Sequence, residues 1–332
     1  MPWIIFLISS AIVVAAAIKL AEYGDVISVR TGLGGLLVGT IFLAGATSLP
    51  ELIASITSFS EGLPDLAAGN FFGSNMVNML LLALVDMFSY QVPLLRRAAV
   101  THTLTMALGA MLMVMAIIFV DLEVHIPIVF GWVGVDSLIL IGLYFGGLRL
   151  IQQEGKLAAG PGKVDEVIPG KDFPTLRKGV LGFAAAAIVL MLAVPQLVKA
   201  TADIAEITGL GTTFVGTALL SLVTSLPELL AAIAAVRLGA YDLAVGNLFG
   251  SNVFNMLGLG IADFFYTEGR FLGDIDQSFA LVGLFGLLMM IMALIGNLAR
   301  IERKIFFIEI DAVLMILVYL VGMYLLFLQG QV

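Results

Sequence analysis

Along this chain of 332 residues, long apolar stretches alternate with short polar ones. A helix needs about 20 mainly apolar residues to cross roughly 30 Å of hydrocarbon. Ten stretches meet that length, at 3–18, 31–59, 65–89, 99–119, 126–150, 179–200, 212–237, 241–265, 278–299 and 308–328. The first has no positive leader and no convincing small-residue cleavage site before Lys19, so it reads as a membrane helix rather than a signal peptide.

Two of the stretches are interrupted in the same way, by TSLPE at 47–51 and again at 224–228. That offset of 177 holds without a gap from Val38/Val215 to Leu82/Leu259, with more than half of the positions identical. Asp86 matches Asp263 at the same offset, and IDAVLMILVY near Asp311 echoes VDSLILIGLY near Asp136 with the offset shifted to 175. The pattern therefore predicts two repeats of five helices, 1–150 (repeat core 38–82) and 179–332 (repeat core 215–259). Five is odd, so the second copy enters the membrane from the opposite side and the repeat is inverted. Residues 151–178, rich in Gly, Pro and mixed charge, read as a solvated linker.

Composition agrees: 61% of residues are hydrophobic, 12% are charged and the mean hydropathy is +1.10, values of an integral membrane protein. Lys and Arg divide 14 to 2 between the two sides of the ten-helix parsing, with only Lys199 and Arg270 on the poorer side. By the positive-inside rule the 151–178 linker is cytoplasmic and both termini are extracytoplasmic, in a multi-pass protein of the cell (inner or plasma) membrane. The net charge of −8 is spread over loops, which argues against a nucleic-acid partner, and the absence of cysteine excludes disulfides and thiolate metal sites.

The chemistry lies at the interruptions. Pro50 cannot donate to the carbonyl of Ala46 and its ring clashes there, so the helix must kink or break. In hydrocarbon the freed backbone is tolerated only where protein, water or an ion satisfies it. Thr47 and Glu51 lie on one face with Ser48 beside them, and Thr224, Ser225 and Glu228 repeat the set. A carboxylate near the bilayer centre costs about 2.5 to 3.5 kcal/mol on insertion scales. Bound cations offset that cost; the plainer alternative is a protonated carboxyl bridging two helices. The next helix of each half opens with a polar stripe, GNFFGSNMVN at 69–78 and GNLFGSNVFN at 246–255. Asn70, Ser74 and Asn78 recur every four residues, as do Asn247, Ser251 and Asn255. Their oxygens suit a hard cation such as Ca²⁺, which takes about six to eight, or else interhelical hydrogen bonds. The paired glycines 69/73 and 246/250 read as close-packing positions.

With these segments on the page, the chain resembles the cation/calcium antiporter superfamily, specifically the sodium/calcium exchanger branch of prokaryotic type. The resemblance rests on the paired TSLPE and GNxxGSNxxN segments; the cation/proton branch usually carries GNxxE instead of TSLPE, often with an acidic run between the halves. It implies an all-α polytopic fold of ten transmembrane helices in two inverted repeats with interrupted helices at the midplane. It also implies alternating-access exchange of Ca²⁺ for Na⁺, normally Ca²⁺ export, with the first and sixth helices sliding as a gate. Residue by residue, Glu51 and Glu228 would be the central Ca²⁺ carboxylates, completed by the Thr47 and Thr224 carbonyls. Ser48, Ser74, Ser225 and Ser251 would serve flanking Na⁺ sites with the Ala44 and Ser221 carbonyls, and Asn78 would orient ligands or water. Two departures stand out. Ala46 and Val223 precede TSLPE where the family often has Gly, and Asn255 occupies a position that is Asp in many sodium/calcium exchangers.

Two ionised carboxylates balance one Ca²⁺, two Na⁺ or two protons, whereas three Na⁺ would leave a buried net positive charge. This predicts exchange less electrogenic than three to one, or partial proton coupling, so that Ca²⁺/H⁺ (or other divalent cation/H⁺) exchange on the same fold is the alternative. HExxH and GxGD are absent and no nucleophile sits beside a base, which argues against an intramembrane enzyme. No cofactor and no obligate protein partner is inferred beyond the transported Ca²⁺ and Na⁺ (or H⁺) and the bilayer. The carboxylates Asp86, Asp263, Asp136 and Asp311 read as helix-end hydrogen bonders, Glu61, Asp65 and Asp242 as caps in short turns, and His102 and His125, which the repeat does not match, as interfacial.

Overall fold

A computed structural model describes residues 1–31, 43–87, 94, 102–121, 128–159, 173–299, 304–305 and 308–329. Within it the chain is nearly all helical. In the first half, α1 (Pro2–Thr31) is followed by a short helical stretch at 43–47, α2 (Leu49–Ser60), α3 (Pro64–Met87), α4 (His102–Asp121) and α5 (Val135–Ala159). In the second, α6 (Leu176–Thr208) leads to α7 (Thr212–Val215), a π-helical turn (Gly216–Leu220), α8 (Ser221–Thr224), α9 (Leu226–Arg237), α10 (Tyr241–Ala262), the short α11 (Phe271–Asp274), α12 (Ser278–Ala299) and α13 (Ile310–Gln329).

Among the described residues, eight helices are long and apolar enough to cross a membrane, which makes this a multi-pass membrane protein. Thr212–Arg237 counts as one of them despite its interruption. Of the two remaining predicted spans, 31–59 falls partly outside the described residues. The other is α10, 22 residues long, whose Asn and Gly content lowers its apolarity. Two antiparallel hairpins, β1 (Ile128–Phe130) with β2 (Val133–Gly134) and β3 (Lys304–Ile305) with β4 (Ile308–Glu309), stand immediately before α5 and α13. The expected helix start at 126 is therefore corrected to Val135, and that of 308 to Ile310. Helices α1 and α6 extend well beyond 3–18 and 179–200 because their charged ends continue the helix past the apolar run. Of the predicted linker, residues 160–172 lie outside the described residues, as does His125, whereas 151–159 continue α5 and 176–178 begin α6.

The first helices of the two halves, α1 and α6, pack along each other. Val13, Ala17 and Leu20 of α1 interlock with Leu190, Val194 and Leu197 of α6, all of them fully buried. At the centre lie α3 and α10, buried on nearly every face. Around them α4, α5, α12 and α13 form two further apolar clusters. The glycines of α3 set the central spacing. A Cβ on Gly69 would meet the Thr217 amide nitrogen at 2.9 Å, and one on Gly73 would meet the Thr217 carbonyl oxygen at 2.6 Å. Backbone thus rests on backbone where α3 crosses the π-helical turn.

Gly73→Ala should therefore destabilise the protein by about 1–3 kcal/mol, the usual cost of overpacking a tight contact. Gly142→Ala, at a position where a Cβ meets nothing within 4 Å, should be neutral or slightly stabilising. Thermal unfolding of the two variants in detergent checks the contrast; equal melting temperatures would show that the close approach carries no weight.

Candidate functional site

Both TSLPE prolines fall in the first turn of a new helix, and each break is one residue wide. Ser48 has φ −90° and ψ 6°, and Ser225 has φ −88° and ψ 0°, so the two copies take the same conformation at the edge of the helical region. The helical path continues across each break: Ser48 N–H donates to Ala44 O at 3.0 Å and Leu52 N–H to Ser48 O at 3.3 Å. In the second copy Ser225 N–H donates to Ser221 O and Leu229 N–H to Ser225 O at the same two distances. The prolines loosen the helix without opening a loop.

Every predicted site residue is buried: Ala44, Thr47, Ser48, Glu51, Ser74 and Asn78 from the first half, and Ser221, Thr224, Ser225, Glu228, Ser251 and Asn255 from the second. The two breaks meet. Ser48 Oγ donates to Glu228 Oε1 at 3.0 Å, and Ser225 Oγ donates to Glu51 Oε1 at 3.1 Å, so each half's serine holds the other half's carboxylate. Ser251 Oγ also donates to Glu228 Oε1 at 3.2 Å and lies 3.4 Å from Thr47 Oγ1. One oxygen of each glutamate is thus fixed across the interface. The other, Oε2, is buried in both with no hydrogen-bond partner among the described residues. Ser74 Oγ, Asn78 Oδ1 and Asn255 Oδ1 are buried and unpartnered in the same sense. These five open oxygens, two of them carboxylate, are of the kind a hard cation takes, and they include no sulfur or imidazole for a softer one.

The Ala44 and Ser221 carbonyls differ from these. Ala44 O accepts from Ser48 N–H and from Thr47 Oγ1 at 3.1 Å, and Ser221 O accepts from Ser225 N–H and from Thr224 Oγ1 at 3.2 Å. Both lone pairs of the Ala44 carbonyl are occupied in this conformation, whereas at Ser221 O the one proton of the Thr224 hydroxyl is shared with Asn70 Oδ1.

The halves are not equivalent throughout. Asn70 Nδ2 donates to Glu51 O at 2.9 Å and to Ser55 Oγ at 3.2 Å, and its Oδ1 accepts from Thr224 Oγ1 at 3.0 Å. Its counterpart Asn247 has neither side-chain atom paired among the described residues. The repeat position of Ser55 is Ala232, which removes one partner. Sequence reasoning passed over Ser55, and also Asn75 and Asn252, whose signal was available: they match at the offset of 177. These two link α3 to α10 through Asn78 Nδ2 donating to Asn252 Oδ1 (2.9 Å) and Asn255 Nδ2 donating to Asn75 Oδ1 (3.2 Å).

Of the carboxylates read as helix-end hydrogen bonders, Asp86 and Asp263 act as such, whereas Asp136 is held in an ion pair. Asp263 accepts from Phe271 N–H at 2.8 Å and from Gly134 N–H at 2.9 Å, and Asp86 accepts from Leu94 N–H, the same register 177 residues earlier. Asp136 pairs with Arg270 at 2.7 Å, Glu61 with Lys199 at 3.3 Å, and Asp65 accepts from Asp276 N–H at 2.9 Å. Asp311 Oδ1 accepts from Ala312 N–H at 3.2 Å, and Asp242 stands in the first turn of α10. The interfacial reading of His102 is corrected: it is 2% exposed, with Nε2 3.6 Å from the Asp242 carboxylate in the first turn of α10.

Comparison with known proteins gives a consistent result. The family model described as sodium/calcium exchanger protein matches residues 1–151 and 178–328. The inner membrane protein YrbG of Escherichia coli (strain K12) is 28% identical over 265 residues, 76% of each chain. Among solved structures, the H⁺/Ca²⁺ exchanger CAX aligns with TM-score 0.75 at 16% identity, over 99% of this chain and 85% of that one. The sodium-calcium exchanger NCX_Mj aligns with TM-score 0.64 at 18% identity, over 97% of both. At these identities the structural matches speak to fold.

The unequal asparagines give a direct test. Asn70→Ala removes three hydrogen bonds, to Glu51 O, Ser55 Oγ and Thr224 Oγ1, so it should cost about 1–3 kcal/mol. Asn247→Ala removes none from the described residues and should lower the melting temperature far less. Equal losses in thermal unfolding would mean that the asymmetry is not real in the membrane protein as purified.

Proposed function

The chain belongs to the sodium/calcium exchanger protein family, a family of cation transporters rather than enzymes, and we propose that it exchanges Ca²⁺ for Na⁺ by alternating access, normally exporting Ca²⁺. One observation carries this reading: two glutamates from repeat-related helix breaks, each with one oxygen held by the other half's serine and the other left open. Glu51 and Glu228 are the central Ca²⁺ ligands, with the Thr47 and Thr224 carbonyls. Ser48, Ser74, Ser225 and Ser251, with the Ala44 and Ser221 carbonyls, form the flanking Na⁺ positions; Asn78 and Asn255 lend oxygens to the cation site, Asn78 orienting its ligands or water. Using the last two carbonyls requires the Thr47 and Thr224 hydroxyls to turn away from them.

The proposal includes the ten-helix inverted repeat, 1–150 and 179–332 about a 151–178 cytoplasmic linker, with both termini extracytoplasmic. In its favour, the family match omits 152–177. The long-range contacts also join groups that this parsing puts on one side of the membrane. Lys199 meets Glu61 and Arg270 meets Asp136 on the extracytoplasmic side. Arg30 donates to the Phe173 and Pro174 carbonyls at 2.6 and 2.8 Å on the cytoplasmic side.

A second reading, Ca²⁺/H⁺ exchange, is favoured by one feature: Asn255 leaves the site two acids. Their charge of −2 is balanced by one Ca²⁺ or by two Na⁺ or two protons, and the fold also matches an H⁺/Ca²⁺ exchanger.

Radioactive Ca²⁺ uptake into proteoliposomes, under clamped voltage, separates the two. An outward Na⁺ gradient should drive uptake, moving less charge per Ca²⁺ than three-to-one exchange, and Glu51→Gln and Glu228→Gln should each abolish it while still inserting. Uptake driven by protons alone would establish the second reading, and full activity in either glutamine variant would remove both.

A further inference from the structure

The four asparagines between α3 and α10 form two bridges, and the direction of one is fixed by a group that cannot turn over. Asn252 Nδ2 donates to the main-chain carbonyl of Asn75 at 3.5 Å. A carbonyl only accepts, so the Asn252 side chain must place its amide there and its Oδ1 on the opposite side. That Oδ1 can only accept in turn, and it takes the Asn78 amide at 2.9 Å. Asn78 is thereby left with its oxygen, not its NH₂ group, on the free side. The repeat-related link has the same polarity without that anchor: Asn75 Oδ1 accepts from the Asn255 amide at 3.2 Å, while Asn75 Nδ2 is buried with no partner among the described residues. All four side chains are fully buried, and the Asn78 and Asn255 oxygens have no partner among the described residues.

Orientation matters at these positions because a carboxamide has two opposite faces. Its oxygen attracts a cation and its NH₂ group repels one, and the two ends are nearly equal in size. An asparagine beside an ion path is useful only if something decides which end is presented. We infer that Asn75 and Asn252 are positioning residues that hold the carbonyl oxygens of Asn255 and Asn78 toward the transported cation. They touch no ion themselves; each acts through the asparagine of the opposite half. This rests on the reading above that Asn78 and Asn255 contribute oxygens to the cation site.

The test exploits the fact that aspartate has no wrong face. Asn252→Ala frees Asn78 to present its NH₂ group, and should raise the Ca²⁺ concentration for half-maximal uptake roughly tenfold or more, the usual consequence of removing a partner that orients a ligand. In an Asn78→Asp background both outer atoms are oxygens, and Asn252→Ala should then change that concentration by less than about twofold, on the same argument. Asn75→Ala with and without Asn255→Asp repeats the comparison in the other half, in case one variant does not fold. Uptake in proteoliposomes is normalised to inserted protein. An equal loss in the asparagine and aspartate backgrounds would mean that the bridge only packs the helices, and no loss in the native background would mean that it orients nothing; either overturns the inference. Glu228→Gln is measured alongside. If it takes up Ca²⁺ like the native chain, the site reading itself has failed, an outcome distinct from any behaviour of the asparagine pairs.

Discussion

Everything at the centre of this molecule follows from the burial of two carboxylates in an apolar surrounding. Each costs about 2.5 to 3.5 kcal/mol to insert, and the fold recovers only part of that internally. One oxygen of Glu51 and one of Glu228 receive a serine hydroxyl from across the interface, while the second oxygen of each stays open. A purely structural pair could have closed on itself, with further hydroxyls or a cationic partner. Arg270 and Asp136 show that the chain builds such a pair elsewhere. At the breaks it does not, and the deficit is what gives the site its affinity for a positive charge on the proposed reading.

The way the deficit is shared ties the two halves together. The serine–glutamate bonds and the asparagine bonds are both reciprocal: position i of the first half meets position j of the second, and the second half's i meets the first half's j. That is the contact pattern expected of a two-fold related interface, here within one chain. It depends on close backbone approach, which Gly69 and Gly73 allow by letting α3 lie against the π-helical turn. The breaks themselves are slight. A single residue near ψ 0° in each copy keeps the helical hydrogen bonds on both sides, so the carboxylates are held by nearly continuous helices rather than by loops.

Much of this was legible in the sequence, for identifiable reasons. Proline inside an apolar run has one strong local consequence, and an ungapped repeat says that the consequence occurs twice. The helix-end roles of Asp86 and Asp263 followed from the same repeat, and the structure gives both the same partner eight residues on. What the sequence withheld was pairing at a distance. Nothing in TSLPE says that its serine serves the other copy's glutamate. Nothing in a stripe of asparagines says which will be fully bonded; of the three partners that Asn70 has, one is Ser55, which the repeat replaces by Ala232, one turn along the neighbouring helix from the glutamates. The hairpin before α5 was hidden because its residues are as apolar as the helix it precedes, and the one before α13 because it is only two residues wide on each side.

The neutrality of the asparagines bears on how coupling arises. Asn78 and Asn255 add oxygen without adding charge, so the formal charge of the site is set by Glu51 and Glu228 alone. Ions that compete for it are then matched by total charge: one divalent cation, or two monovalent ones. A ligand shifts a conformational equilibrium only through its differential affinity for the two states. Because each glutamate already has one oxygen bound to the opposite half, an ion that engages the remaining oxygens bridges the halves, and its binding depends on how they are placed. Competition for one pair of carboxylates and dependence on the relation of the halves are the two conditions an exchanger needs. In the proposed mechanism both come from the same four side chains: Ser48, Glu51, Ser225 and Glu228.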